Sequence, residues 1–100
     1  MKLLWTDSAL ADLESIRDYI ARDSAVYAAR FLGRLVEAVE ILDRFPEMGA
    51  VVPEYRNVRQ LVYRKYRVLY RVRGDAVEVL ALVHGSRDLT SWERPPWDIA

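Results

Sequence analysis

Val58-Arg59-Gln60-Leu61-Val62-Tyr63-Arg64-Lys65-Tyr66-Arg67-Val68-Leu69-Tyr70-Arg71-Val72-Arg73-Gly74-Asp75-Ala76-Val77-Glu78-Val79-Leu80-Ala81-Leu82-Val83-His84 is the stretch that decides the fold. Its hydrophobic pattern has a period of two, and it is interrupted by Arg64-Lys65 and by Gly74-Asp75, each of hairpin length. The pattern predicts three antiparallel strands, Val58 to Tyr63, Tyr66 to Arg73 and Ala76 to His84, joined as a β-meander. In the middle strand Tyr66, Val68, Tyr70 and Val72 point one way, and Arg67, Leu69, Arg71 and Arg73 point the other. One face is therefore apolar and aromatic, the opposite one basic. In the last strand Val77, Val79, Ala81 and Val83 predict one apolar face, but Leu80 and Leu82 make the back apolar as well, as in an inner strand covered on both sides. Either Trp92, Trp97 and Ile99 of the C-terminal tail or a partner protein must supply that second cover.

Upstream the period is about 3.6. After a short apolar stretch from Lys2 to Trp5, Thr6-Asp7-Ser8 are all good N-cap residues. A first helix follows, with Leu10, Leu13, Ile16 or Arg17, and Ile20 as its stripe, and with Asp12, Asp18 and Arg22 off it, the last two spaced for an i,i+4 pair. Asp23-Ser24 caps a second helix, whose apolar face carries Ala28, Phe31, Leu32, Leu35, Val39 and Leu42. Running from Ala25 to Phe45 it would span ~30 Å, and Pro46 stops it. So short a turn between the two helices makes them an antiparallel hairpin. A loop from Pro46 to about Asn57 leads into the meander, and Pro95-Pro96 bars a long helix in the tail. The class is α+β, in the order β-α-α-β-β-β: a helical hairpin packed on one face of a small, mainly antiparallel sheet. One domain over residues 1–100 is expected, with about 90–100 as its tail.

Composition narrows the function. The 100 residues hold 15 Lys and Arg against 15 Asp and Glu, and 52% are apolar. That balance excludes a disordered chain and a uniformly basic coat for nucleic acid. The absence of cysteine excludes a disulfide scaffold, a thiolate zinc site and a cysteine nucleophile. No stretch approaches the ~20 apolar residues of a membrane span, and the apolar run before Asp7 is too short for a signal peptide. A soluble, cytoplasmic domain is the expectation. The neutral total nevertheless hides a sorting of charge: the first fifty residues hold six basic and nine acidic residues, and the second fifty hold nine and six. Between Tyr55 and Arg73 there are seven basic residues and no acid, interleaved with tyrosines. Such a face is either a solvated strand surface or a partner-binding one, for which arginine's planar fork is well suited.

There is no phosphate-binding glycine loop, no nucleophile elbow and no metal cluster, since His84 is the sole histidine. No cofactor is implied. The one constellation with chemistry is His84-Gly85-Ser86-Arg87-Asp88, beside Arg67 or Arg71 on the neighbouring strand. A metal-independent phosphodiester cleavage would use His84 to move protons, with Arg67 and Arg87 stabilising charge. The plainer reading is a strand-end histidine bonded to backbone, with Arg87 paired to Asp88 or another acid.

Several strings taken in order carry a family resemblance: Asp12-Leu13 with Tyr19-Ile20, Phe45-Pro46-Glu47-Met48-Gly49, Pro53-Glu54, Val58-Arg59-Gln60-Leu61, Tyr66-Arg67-Val68-Leu69-Tyr70-Arg71-Val72, and Val83-His84-Gly85-Ser86-Arg87-Asp88-Leu89. Over about residues 3 to 89 the chain resembles the RelE/ParE superfamily of bacterial type II toxin-antitoxin toxins, and within it the ParE-like branch. The resemblance implies a toxin neutralised by a cognate antitoxin that wraps the hairpin and sheet. Partner contacts are then expected at Arg59, Arg67, Arg71, Leu80, Leu82 and Arg87. RelE-like members cleave mRNA on the ribosome, whereas ParE-like members poison DNA gyrase. Val58, Gln60 and Val62 fill one alternating face of the strand on which the nucleases carry cations, and no tyrosine follows Tyr70, so that only Arg67 and Arg87 match the nuclease pattern well. Three functions follow from the resemblance: a gyrase-binding toxin, a ribosome-dependent endoribonuclease using Arg67, His84 and Arg87, and an inactive descendant that only pairs with its antitoxin.

Overall fold

A computed structural model describes residues 1–98. Its order is β1 (Lys2–Trp5), α1 (Asp7–Ala21), α2 (Ala25–Glu40), β2 (Ala50–Val51), β3 (Arg59–Tyr63), β4 (Tyr66–Arg73) and β5 (Ala76–His84), with 3-10 turns at Ile41–Asp43 and Leu89–Ser91. The five strands form one sheet in the order β1-β5-β4-β3-β2, in which β1 runs parallel to β5 and the other pairs are antiparallel. The expected meander and helical hairpin are both present. β2 is an addition within the connection read as a plain loop.

The helices start where their caps dictate. Thr6 accepts from the Ala9 amide, and Ser24 accepts from the Tyr27 amide. α2 ends five residues before Phe45, because the chain tightens into the 3-10 turn ahead of Pro46. The α1 stripe begins one residue earlier than the sequence pattern indicates: Ala9 and Ile16 are buried, while Leu10 is 49% exposed. Asp18 pairs with Arg17 at 3.1 Å, and Arg22 lies over the Tyr19 ring instead of pairing with Asp18.

The decisive departure is in β5. Leu69 pairs with Ala81 but Tyr70 pairs with Val79, so Leu80 has no partner on β4 and forms a β-bulge. A bulge adds one residue and reverses the alternation beyond it. Val77, Val79 and Leu82 consequently face the helices, and Leu80, Ala81 and Val83 face the back. This corrects the single face expected for Val77, Val79, Ala81 and Val83, and the shared back face expected for Leu80 and Leu82.

Each face has its own core. On the helix side Ile16, Leu35, Val39 and Leu42 pack on Val68, Tyr70, Val77, Val79 and Leu82. On the back, Leu69, Leu80, Ala81 and Val83 are covered by Val52, Val58 and Tyr55 of the connection and by Leu89, Trp92 and Trp97 of the tail. The chain thus covers its own doubly apolar strand, each fully buried aliphatic side chain contributing about 1.5–3 kcal/mol. Ile99 lies outside the described residues.

β1 stops at its pairing with Val79, and α1 takes over the edge of β5 from that point. Thr6 Oγ1 donates to the Val79 carbonyl at 2.9 Å, Ser8 Oγ donates to the Leu80 carbonyl at 2.7 Å, and the Leu82 amide donates to Asp12 Oδ2 at 3.0 Å. The side chains of the N-cap Thr6 and of Ser8 and Asp12 in α1 thus serve β5 backbone groups around the bulge, beyond the end of β1.

Candidate functional site

The bulge decides where the sequence-predicted residues go. Tyr66 belongs to the helix-facing side of β4, and the His84 ring packs edge-on against it at 5.9 Å. Arg67 is the next residue and points to the back. The proposed group of Arg67, His84 and Arg87 is therefore not assembled: the imidazole stands on one side of the sheet and the Arg67 guanidinium on the other. The physical reason is the extra residue at Leu80, without which His84 would share the back face. His84 Nδ1 is engaged locally, 2.7 Å from Ser86 Oγ and 3.2 Å from the Ser86 amide.

Arg67 and Arg87 do meet. Arg67 Nη2 donates to the Arg87 carbonyl and Nη1 to Gln60 Oε1 at 3.3 Å, while its buried Nε has no partner among the described residues. The Arg87 guanidinium carbon lies 4.9 Å from the centre of the Trp92 ring, a cation–π arrangement. Asp88 does not pair with it. Asp88 accepts from the Thr90 amide and hydroxyl, and these bonds hold its carboxyl below the usual carboxylate range.

The other expected partner contacts are largely occupied inside the chain. Arg59 donates to the Gly49 carbonyl at 2.8 Å, and Arg71 pairs with Glu78 at 2.8 Å. Leu80 and Leu82 are 0% and 4% exposed, each in a core on a different side of the sheet, so neither offers surface to a partner.

Two features were not read from the sequence. One is Asp12, whose carboxyl is pushed up by burial against the opposing pull of the Leu82 amide and Arg87. A stripe started at Ala9 would have placed this acid on the buried side of α1, and that was the available signal. The other is a groove of about 580 Å³ between the tip of the hairpin and the β3–β4 turn. Tyr19, Tyr27, Phe31 and Tyr66 line it, Arg64 and Lys65 stand on the turn side, and Asp23 on the helix side. Tyr19 and Tyr27 are 64% and 57% exposed, and Arg64 holds a left-handed backbone, φ 62° being the value at Asn57 and 55° at Arg64. Among the described residues no group of His, Cys, Asp and Glu is placed to hold a metal ion, and no helix is long and apolar enough to cross a membrane.

Residues 3–89 match the family described as the ParE toxin of the type II toxin-antitoxin system parDE. The chain belongs to the ParE toxin family. Toxin RelE2 of Caulobacter vibrioides is 36% identical over 87 residues, which cover 86% of this chain and 97% of that protein. Y4kP of Sinorhizobium fredii is 34% identical over 85 residues, covering 83% and 86%. Among solved structures, a chain of the chromosomal ParDE toxin-antitoxin system of P. aeruginosa superposes with a TM-score of 0.75 at 31% identity, covering 84% of this chain and 95% of that one. The helical hairpin on a five-stranded sheet is thus a ParE-family architecture, and the chain is a type II toxin of the RelE/ParE superfamily.

Proposed function

We propose that this ParE-family toxin arrests growth in the cytoplasm by binding a protein target, DNA gyrase, and that a cognate antitoxin neutralises it. The observation that carries a binding over a cleaving role is the placement of His84. Metal-free phosphodiester cleavage needs a proton-transfer group on the same side as the cations, and the sole histidine lies across the sheet from Arg67. The antitoxin's place is the surface that the chain leaves uncovered, at the exposed Tyr19, Val26 and Tyr27 beside the basic turn. The toxin assembled with its antitoxin in P. aeruginosa supports a partner of that kind.

Purified toxin is expected to inhibit supercoiling by gyrase, and added antitoxin to relieve the inhibition. Normal supercoiling at large molar excess of folded toxin would overturn the gyrase assignment. A second reading, a ribosome-dependent endoribonuclease, draws on the contact of Arg67 with Arg87 and on the likeness to RelE2. It requires codon-specific cleavage of mRNA in a translation extract that Arg87→Ala abolishes.

A further inference from the structure

The tail does more than cover the back core, because it returns under Arg87, three residues past the end of β5. Past β5 the Arg87 amide donates to the His84 carbonyl at 2.9 Å, and Asp88 closes the turn Leu89–Ser91. Leu89 is 1% exposed, and its carbonyl accepts from the Tyr55 hydroxyl at 2.8 Å. That anchor delivers the Trp92 indole beneath the Arg87 guanidinium. Trp97 then packs against Trp92 in a T-shaped contact at 5.6 Å and 84°, which restrains the indole.

Arg87 differs in this respect from the other arginines expected at a partner surface. Arg59, Arg67 and Arg71 spend donors on carbonyls, an amide oxygen and a carboxylate of the chain itself. Among the described residues no hydrogen bond or ion pair is made by the Arg87 side chain, which is exposed and rests on an aromatic ring. Packing over an aromatic ring restrains a guanidinium without consuming its N–H groups. An arginine held in this way is pre-organised to bind a carboxylate in two-pronged fashion, at less ordering cost than a free one.

We infer that Trp92 is a positioning residue that holds Arg87 for a carboxylate of the toxin's protein target. The inference rests on the reading of this chain as a target-binding toxin, but not on gyrase being the target. Its test is a double-mutant cycle read as the toxin concentration required to arrest growth, with concentrations taken from immunoblots. Arg87→Ala should raise that concentration about ten- to a hundredfold, the range of a lost charge-assisted bond. Trp92→Leu, which keeps apolar bulk but no π face, should raise it about two- to fivefold. Trp92→Phe should restore most of the loss.

In the Arg87→Ala background Trp92→Leu should have no further effect, because nothing remains to be positioned. A loss that multiplies equally in both backgrounds would assign Trp92 a structural role only and overturn the inference, as would an Arg87→Ala toxin of full potency. Thermal unfolding of each variant separates instability from lost engagement: a Trp92→Leu deficit that follows the lowered Tm and persists in Trp92→Phe counts against the inference. Arrest without gyrase inhibition in the wild type would remove gyrase as the target while leaving the cycle readable.

Discussion

The phenolic oxygen of Tyr70 is shared between two ends of one loop: the Gly49 amide donates to it at 2.8 Å, and its own proton goes to the Pro46 carbonyl at 2.8 Å. Tyr70 is 0% exposed, and burial raises its pKa, so the hydroxyl remains a donor and acceptor throughout the physiological range. A Cβ on Gly49 would stand 2.5 Å from the Gln60 carbonyl and 2.6 Å from Tyr70 Oη. The first of these is backbone and cannot rotate away. Gly49→Ala should therefore cost about 1–3 kcal/mol through overpacking. Tyr70→Phe should cost about 1–3 kcal/mol by orphaning the buried Gly49 amide and the part-buried Pro46 carbonyl. Urea unfolding checks both, and a change below about 0.5 kcal/mol, the scale of an ordinary surface substitution, would contradict the pinning of the loop.

Asp12 makes stability depend on pH in the direction opposite to an ordinary paired acid. Its folded-state pKa is raised by burial, so the folded chain binds more protons than the unfolded one between the unfolded and folded values. Stability must fall as pH rises through that window and level off above it. Asp12→Asn keeps an oxygen for the Leu82 amide and removes the slope, so it should match or exceed the wild type at pH 7. Asp12→Ala should lose about 1–3 kcal/mol through the orphaned amide. Denaturant titrations at several pH values separate the three proteins.

Asp88 titrates the other way. Its folded pKa is lowered by the Thr90 bonds, so its contribution is present above the unfolded value and is lost as pH falls through the folded one. Acid should therefore loosen the turn at Leu89–Ser91 and change the fluorescence of Trp92 and Trp97, and Asp88→Asn should blunt that acid-induced change.

Gly33 occupies the exposed middle of α2 with nothing within 4 Å of where a Cβ would sit. Gly33→Ala should stabilise the toxin by about 0.5–1 kcal/mol by relieving the entropy cost of a helical glycine. A raised Tm checks this, and a lowered one would show that the helix face needs the glycine.

His84→Gln should leave growth arrest within about twofold of wild type, since among the described residues the imidazole engages Ser86 and Tyr66 alone, contacts of the order of surface interactions. A cleaving enzyme that relied on His84 would instead lose activity by about a hundredfold or more, the range for a general acid or base. The same induction assay distinguishes them.

The architecture was legible where local pattern and burial agree. Two-residue breaks at Arg64-Lys65 and Gly74-Asp75 mark the meander, and the cap candidates Thr6-Asp7-Ser8 and Asp23-Ser24 mark both helix starts, the caps being Thr6 and Ser24. The bulge was not legible, because the apolar run from Val79 to Val83 satisfies either alternation and nothing in it marks Leu80 as unpaired. That single residue puts His84 on the face opposite Arg67 and places Leu82 in the helix-side core, while Leu80 stays on the back, where the connection and the tail cover it. The arginine-rich face was recognised as a basic strand surface. Which arginines remain available depended on long-range partners, Gly49 for Arg59 and Glu78 for Arg71, that strand periodicity does not encode. Burial of Asp12 is not legible because Leu10, the more apolar residue, marks the start of the α1 stripe in the sequence while Ala9 is the one buried.

The most direct test of the account is induction of the toxin without its antitoxin, followed by parallel readouts of plasmid topology and mRNA integrity at the onset of growth arrest. The account predicts altered plasmid supercoiling with intact mRNA. Cleaved mRNA with unchanged supercoiling would contradict it.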